Sequence, residues 1–333
     1  MTEGVTISAI ADWFRGRKNR LITGSKVNTT QIITAPRNIT EANETNISFI
    51  GKKLGASMPA LIQQTTCKLI LIEESLLPSL ERMKLPEEMV IVISKNPKAD
   101  IIDFCKEFLG FGKPAKAAAT HPTASVSSLA KLGKDVTVGP FAVIDEGVTI
   151  GNNCTIGPNS VITGQTIIGN NVEVGSCSVI GEPGFGYTRN TPADEYEQFP
   201  HYGKVIIGDN VHIGSHNSIA RGSLSDTIIE QGVKTDSQVH IAHNVKIGKN
   251  TLIMANVMVA GSAVIGSNCW IAPCCCIKNA ITIGNNVTAG LQSNITKSIP
   301  DNEVIMGNPA MPMKDLSLLH LRDLRQIREN KKK

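Results

Sequence analysis

Aromatic side chains are scarce in this chain: two Trp, three Tyr and eight Phe make up 4% of its 333 residues. That scarcity fits a core of stacked aliphatic side chains rather than one built around large rings. No apolar run approaches the roughly 20 residues that cross a bilayer, so no transmembrane segment is expected. The opening MTEGVTISAIADWFRGRKNR has no basic start followed by a long apolar stretch, so no secretory signal is expected either and the chain is assigned to the cytoplasm. Thirty-three basic against 29 acidic residues leave a net charge of +4, too balanced to imply nucleic acid, and only the tail at 331–333 is locally basic. Eight cysteines are present and should be reduced in that compartment. The run Cys274, Cys275, Cys276 lacks the spaced pairs that tetrahedral metal sites favour, so thiols buried in or lying on a coil are expected there, and no metal.

What the chain has in abundance is a period of six. Val126, Leu132, Val138, Ile144, Ile150, Ile156, Ile162, Ile168, Val174 and Ile180 are evenly spaced. The series resumes at Ile207, Ile213 and Ile219. It runs again, shifted, from Ile241 through Ile283 and relaxes to Ala289 before Ile295. A 3.6-residue helix would scatter these positions around its surface, and a two-residue strand repeat would make the intervening even positions apolar as well. Gly follows the branched residue in most hexads, at Gly133, Gly139, Gly151, Gly157 and beyond, and is expected to permit a tight corner. Three hexads to a turn make a triangular parallel β-helix with the branched residues stacked inside.

The period organises the chain. Residues 1–110 lack it and read as an α/β domain, with helices over 7–15 and 99–109 and strands at KLILIE (68–73) and MVIVIS (89–94). Residues 111–124, rich in Ala and Pro, form a linker; 125–300 form the β-helix; 301–333 form a helical extension. In that extension Asp315 is the expected N-cap, and Leu316, Leu319, Leu324 and Ile327 form an apolar stripe. Two interruptions stand out. Residues 181–204 protrude as a loop of over twenty residues, and long ordered loops in a strict repeat are usually functional. At RGSLSD (221–226) the register slips by four.

Chemistry inside the repeat centres on QVHIAHNVKIG (238–248). Ile241 points inward, so His240 points outward, and His243 falls at a corner. One coil later the stacked position is Gly261. A histidine can take a proton from an attacking amine or hydroxyl, and an exposed glycine amide can donate to an oxyanion. The bland alternative is a histidine that decorates a coil face.

At this point the sequence resembles the UDP-3-O-acylglucosamine N-acyltransferases of lipid A biosynthesis. The shared features are ISF at 47–49, the hexads, GFGY at 184–187, FPHYG at 199–203, RGSLSDT at 221–227 and the IAHN segment. The resemblance implies a left-handed β-helix, a homotrimer with sites between subunits, and a nucleotide-sugar recognition role for the N-terminal domain. It further implies transfer of a 3-hydroxyacyl chain from acyl carrier protein, through its phosphopantetheine arm, to the 2-amine of the sugar, with no other cofactor. His243 would be the general base and Gly261 the oxyanion-hole amide. Phe49 is suited to stacking on a base, or to an ordinary core role. Phe185 and Tyr187 are suited to an acyl or pantetheine channel, or to anchoring their loop. His201, Arg221, Gln238 and His240 complete the substrate-binding candidates; Arg221 suits phosphate or an acidic carrier protein, or a surface ion pair.

Several positions depart from that family. Ala220 stands where Asp is common, Ala280 where a second histidine is common, Lys52 and Gly55 where Asn and Tyr follow the Phe, and Pro183 where an acidic residue is usual. They leave open an acyltransferase for another amino nucleotide sugar, using acyl carrier protein or acetyl-coenzyme A, and a paralogue without activity. A zinc-dependent carbonic anhydrase on the same coil would draw on His212, His216, His240 and His243, but it has no place for the N-terminal domain or the GFGY loop.

Overall fold

The six-residue period resolves into two-residue strands, each pairing in parallel with the strand one coil later. Thr137–Val138 lies on Thr155–Ile156, Val143–Ile144 on Val161–Ile162, and Thr149–Ile150 on Ile167–Ile168. The computed structural model describes residues 4–111, 119–190, 194–308, 310–315, 317–318 and 322. Three sheets of ten, nine and eight strands wrap a single column of buried Ile and Val, and the coil is left-handed. One ladder position is polar: Thr235 is buried, and its hydroxyl accepts a hydrogen bond from the Gly214 N–H. Ile247 is fully buried in the column between coils that cannot close up on one another. Ile247→Ala should cost about 2–5 kcal/mol. The check is a lower urea midpoint at an unchanged slope.

The corners correct one sequence reading. The left-handed backbone that a corner needs is carried by Asn more often than by any other residue, as at Asn153, Asn171, Asn210, Asn250 and Asn268, whose short polar side chain tolerates positive φ. Apart from Gly181, where the chain leaves the coil, the glycines that follow ladder residues do not have positive φ; they are small because the next coil lies directly above. A Cβ at Gly157 would come 2.7 Å from the Ser176 nitrogen, and one at Gly139 2.7 Å from the Pro158 nitrogen. Polar ladders run along the outside, with the Asn152 N–H donating to Asn170 and the Asn170 N–H to Asp209.

Both interruptions leave the coil at one corner. Val179–Pro183 runs out of its sheet into an antiparallel hairpin of Tyr187–Asn190 and Glu195–Gln198, and the chain re-enters at Val205–Ile207. Ile180 then stacks on Ile219, and Ile219 on Ile241 across the RGSLSD slip. The two insertions bind each other: the Tyr202 and Gly203 N–H groups donate to the carbonyls of Ser223 and Gly222.

Contacts divide the chain into units of residues 1–115 and 116–333. In the first, strands Arg20–Thr23, Val90–Ser94, Leu69–Glu73, Asn46–Ile50 and Ala35–Pro36 form one sheet in that order, parallel except for the first. Leu69–Ile72 and Val90–Ile93 in the two central strands are apolar throughout because both faces are covered. Leu69 and Leu71 meet helices Ile7–Gly16 and Pro97–Phe108 through Phe14 and Phe104, while Ile70 and Ile72 meet Met58 and Ile62 of helix Met58–Gln64. At the other end of the chain residues 313–315 are already helical, which puts Asp315 inside the first turn rather than at its N-cap. Leu316, Leu319, Leu324 and Ile327 lie outside the described residues.

Candidate active site

His243 occupies the corner after strand His240–Ile241, where a side chain leaves the coil at its edge instead of filling the core. Its Nδ1 lies 2.7 Å from Asn244 Oδ1. The orientation of that amide is settled by backbone groups with only one possible role. The Ser223 N–H donates to Oδ1 at 3.2 Å, and Nδ2 donates to the Ser225 carbonyl at 2.9 Å. The oxygen therefore faces Nδ1, which must carry the proton, and the Nε2 lone pair is left free. Ser223 Oγ also donates to Oδ1, Ser225 Oγ accepts from Nδ2, and the buried Thr227 hydroxyl accepts from the Asn244 N–H. Read in sequence as a slipped register, RGSLSDT is the cradle that fixes the tautomer of His243. Asn244→Ala should lower turnover at least about tenfold by freeing the ring, as loss of a histidine's hydrogen-bond partner typically does. Steady-state kinetics should show this as a fall in kcat with little change in KM.

Gly261 stacks against the other edge of the ring, as the eighteen-residue offset predicts. A Cβ there would come within 2.7 Å of both Cε1 and Nε2 of His243. Glycine thus lets Nε2 lie directly over the backbone of the next coil. At the neighbouring corner the equivalent N–H groups are capped, Ser267 by Asn285 and Asn152 by Asn170. Among the described residues no acceptor caps the Gly261 N–H. A free base and a free donor thus sit side by side on an open edge, which is what proton removal coupled to oxyanion formation needs.

The protruding loop closes the third side. A Cβ at Gly184 would fall 2.9 Å from His243 Cβ and 3.0 Å from His201 Nε2, so the loop backbone touches both rings. His201 is only 8% exposed and stands edge-on to His243, ring centroids 5.5 Å apart. Burial pushes its pKa down, the carbonyl of Phe199 draws it partly back, and the neighbouring basic groups His243 and Arg221 push it down further. Phe185, 89% exposed, and Tyr187 contact each other at 5.0 Å on the outer side of this loop. Arg221 lines a cleft of about 540 Å³ with Asp145, Glu146, Thr163 and Gln165, its Nε buried without a partner among the described residues.

Other candidates lie apart. Gln238 and His240 are exposed and take no part in the hydrogen bonds that build the His243 corner; His240 sits outward between Ser218 and Met258, and desolvation lowers its pKa. Phe49 belongs to the N-terminal unit, half-buried beside a pocket of about 350 Å³ with Arg37, Asn38, Ser48 and Leu54. Lys52 and Gly55 fall in the six-residue 3₁₀ helix Lys52–Ser57, with the Lys52 N–H donating to Glu73. Ala220 is buried, Pro183 sits at a bulge against Arg221, and Ala280 has positive φ. Cys275 is buried while Cys274 and Cys276 are exposed. Among the described residues no three His, Cys, Asp or Glu side chains are grouped to hold a metal ion.

Sequence reasoning missed Asn244 with Ser223, Ser225 and Thr227. The signal was present, since the slip interrupts the ladder one coil before the histidine. Its meaning needed the fold, because nothing in a six-residue period says where a corner side chain points.

Comparison with known proteins agrees with the hexapeptide fold. The bacterial transferase hexapeptide family (six repeats) matches residues 130–164 and 226–261. A UDP-3-O-acylglucosamine N-acyltransferase from Saccharophagus degradans is 49% identical over 70 residues, which is 21% of this chain and 20% of that protein. The chain thus matches about a fifth of the length of such relatives. Among solved structures, LpxA from Acinetobacter baumannii superimposes with a TM-score of 0.53 at 28% identity, over 58% of this chain and 73% of the other. The UDP-N-acetylglucosamine acyltransferase from Campylobacter jejuni shares the fold, with a TM-score of 0.52 at 24% identity over the same shares.

Proposed function

We propose that this hexapeptide-repeat protein is an N-acyltransferase that moves a 3-hydroxyacyl chain from acyl carrier protein to the 2-amine of UDP-3-O-acylglucosamine, a step of lipid A synthesis. The observation that carries the reading is the free Nε2 of His243 packed where a Gly261 Cβ would stand, beside an N–H that no acceptor among the described residues caps. The amine attacks the thioester carbonyl and loses its proton to Nε2. Carbonyl electrons move to oxygen, where the Gly261 amide donates to the oxyanion. Collapse expels the phosphopantetheine sulfur, which takes the proton back from the imidazolium, leaving an amide and a free thiol. A general base contributes about 10²- to 10⁴-fold and one oxyanion donor about 10²- to 10³-fold.

Acceptor identity is supported by the named relatives and by the Phe49 pocket, whose ring is suited to a uracil face. The working unit is proposed as a homotrimer in the cytoplasm. Among the described residues no helix is long and apolar enough to cross a membrane. Mass spectrometry of products from a panel of UDP-amino sugars and acyl carrier proteins of different chain length tests the assignment. Acylation of UDP-3-O-acylglucosamine supports it, and transfer only to another sugar reassigns the acceptor. Lys52 and Gly55 beside Phe49 favour that second reading, an acyltransferase for a different amino nucleotide sugar, with acetyl-coenzyme A as the donor to include in the panel.

A further inference from the structure

We propose that His201 is a proton-sensitive latch that holds the 184–186 loop against His243 and so positions the base without touching substrate. Both ring nitrogens of His201 are shielded from solvent, and among the described residues neither makes a hydrogen bond. The loop backbone is what shields them: a Cβ at Gly184 would lie 3.0 Å from Nε2, and one at Gly186 3.3 Å from Cε1. The same Gly184 touches His243 Cβ and Cδ2, the edge opposite Gly261. His243 is therefore held on three sides, by Asn244, by Gly261 and by a loop whose contact surface includes His201.

Such a pocket accepts a neutral imidazole and rejects a charged one. An imidazolium at 201 would carry two buried N–H donors, with only the Phe199 carbonyl close enough to favour its charge. The titratable groups that act on it are Arg221, from strand Ser218–Arg221, and His243, from the next coil; both are basic, and only the Phe199 carbonyl on its own loop opposes them. Among the described residues no carboxylate figures in that balance. Hydrating the proton requires the 184–186 backbone to lift, which removes the wall on the Cβ–Cδ2 edge of His243. The neighbouring residues transmit the strain, because Tyr202 and Gly203 are hydrogen-bonded to Gly222 and Ser223, and Ser223 holds Asn244.

The direction with pH follows from linkage. With the loop closed the His201 pKa is lowered, and with the loop open the ring is solvated and ordinary. Closure is fully favoured above the ordinary value near 6.5 and weakens as pH falls below it, by up to about tenfold per pH unit until the lowered value is reached. His243 must itself be neutral to accept a proton, so the latch adds a second proton to the acid limb of the rate profile.

The rate arm of the test rests on the acyltransferase reading; the structural arm does not. Hydrogen exchange of peptides spanning 181–204, corrected for intrinsic pH effects, is measured between about pH 7.5 and 5.5 on wild type, His201→Gln and His201→Phe. Wild type should lose protection several-fold on acidification and the variants should not, while acyl-transfer rates should fall more steeply than first order in protons for wild type and first order for the variants. Rates are compared within each protein as the steepness of its acid limb, so an offset of either variant at the alkaline end does not enter the comparison. Equal pH dependence of loop exchange in wild type and both variants overturns the proposal, even if no acyl acceptor is found. Altered exchange with identical acid limbs also overturns it, because the loop would then move without positioning the base.

Discussion

Acyl transfer by His243→Ala is expected to fall at least about 10²-fold, with the β-helix intact, because the substitution removes the general base and nothing that packs in the column. His243 is half-buried at a corner, while the stabilising ladder runs through Ile241 and Ile247 on either side of it. Far-UV circular dichroism and the unfolding midpoint should therefore stay close to wild type. Initial rates on the acylated sugar are the measurement, and near-wild-type turnover would remove His243 from the mechanism. The Gly261 amide survives in this variant, so the residual rate above the uncatalysed reaction reports what the oxyanion donor and binding supply alone.

Gly261→Ala should produce a loss of similar size, about 10²-fold, by a different route. Gly261 does not have positive φ, so alanine fits its backbone without strain. The added methyl instead meets the ring at 2.7 Å from Cε1 and Nε2, closer than non-bonded carbon and nitrogen approach. The ring must give way, and misplacing a reacting group by about 1 Å is enough for that cost. The backbone N–H is unchanged, so the expected signature is a lowered kcat in a protein of normal stability. A fully active Gly261→Ala would show that the base does not work from the position it occupies over this corner.

The two substitutions also mark where sequence reasoning succeeded. The eighteen-residue offset brought His243 and Gly261 together because parallel strands in register repeat at fixed spacing, so contact between coils follows from counting. The strands at 69–73 and 90–94 were legible for a related reason: a sheet covered on both faces demands unbroken apolar runs. The ladder glycines were read for the wrong property. A tight corner and a close neighbour both require a missing Cβ, and only the dihedrals separate the two, giving positive φ to Asn153 and its equivalents and close approach to Gly139 and Gly157.

The sequence by itself determined the coil, the column of Ile and Val that fills it, and the pairing of a histidine with a glycine, because each follows from periodic burial along one dimension. Tertiary structure alone decided that Asn244 sets the histidine tautomer, that RGSLSDT supports Asn244, and that His201 and Gly184 close over the base. Those contacts join two insertions that break the repeat. Once the period is lost, position along the chain no longer fixes position in space, and hydrogen-bond geometry and steric fit decide which side chains meet.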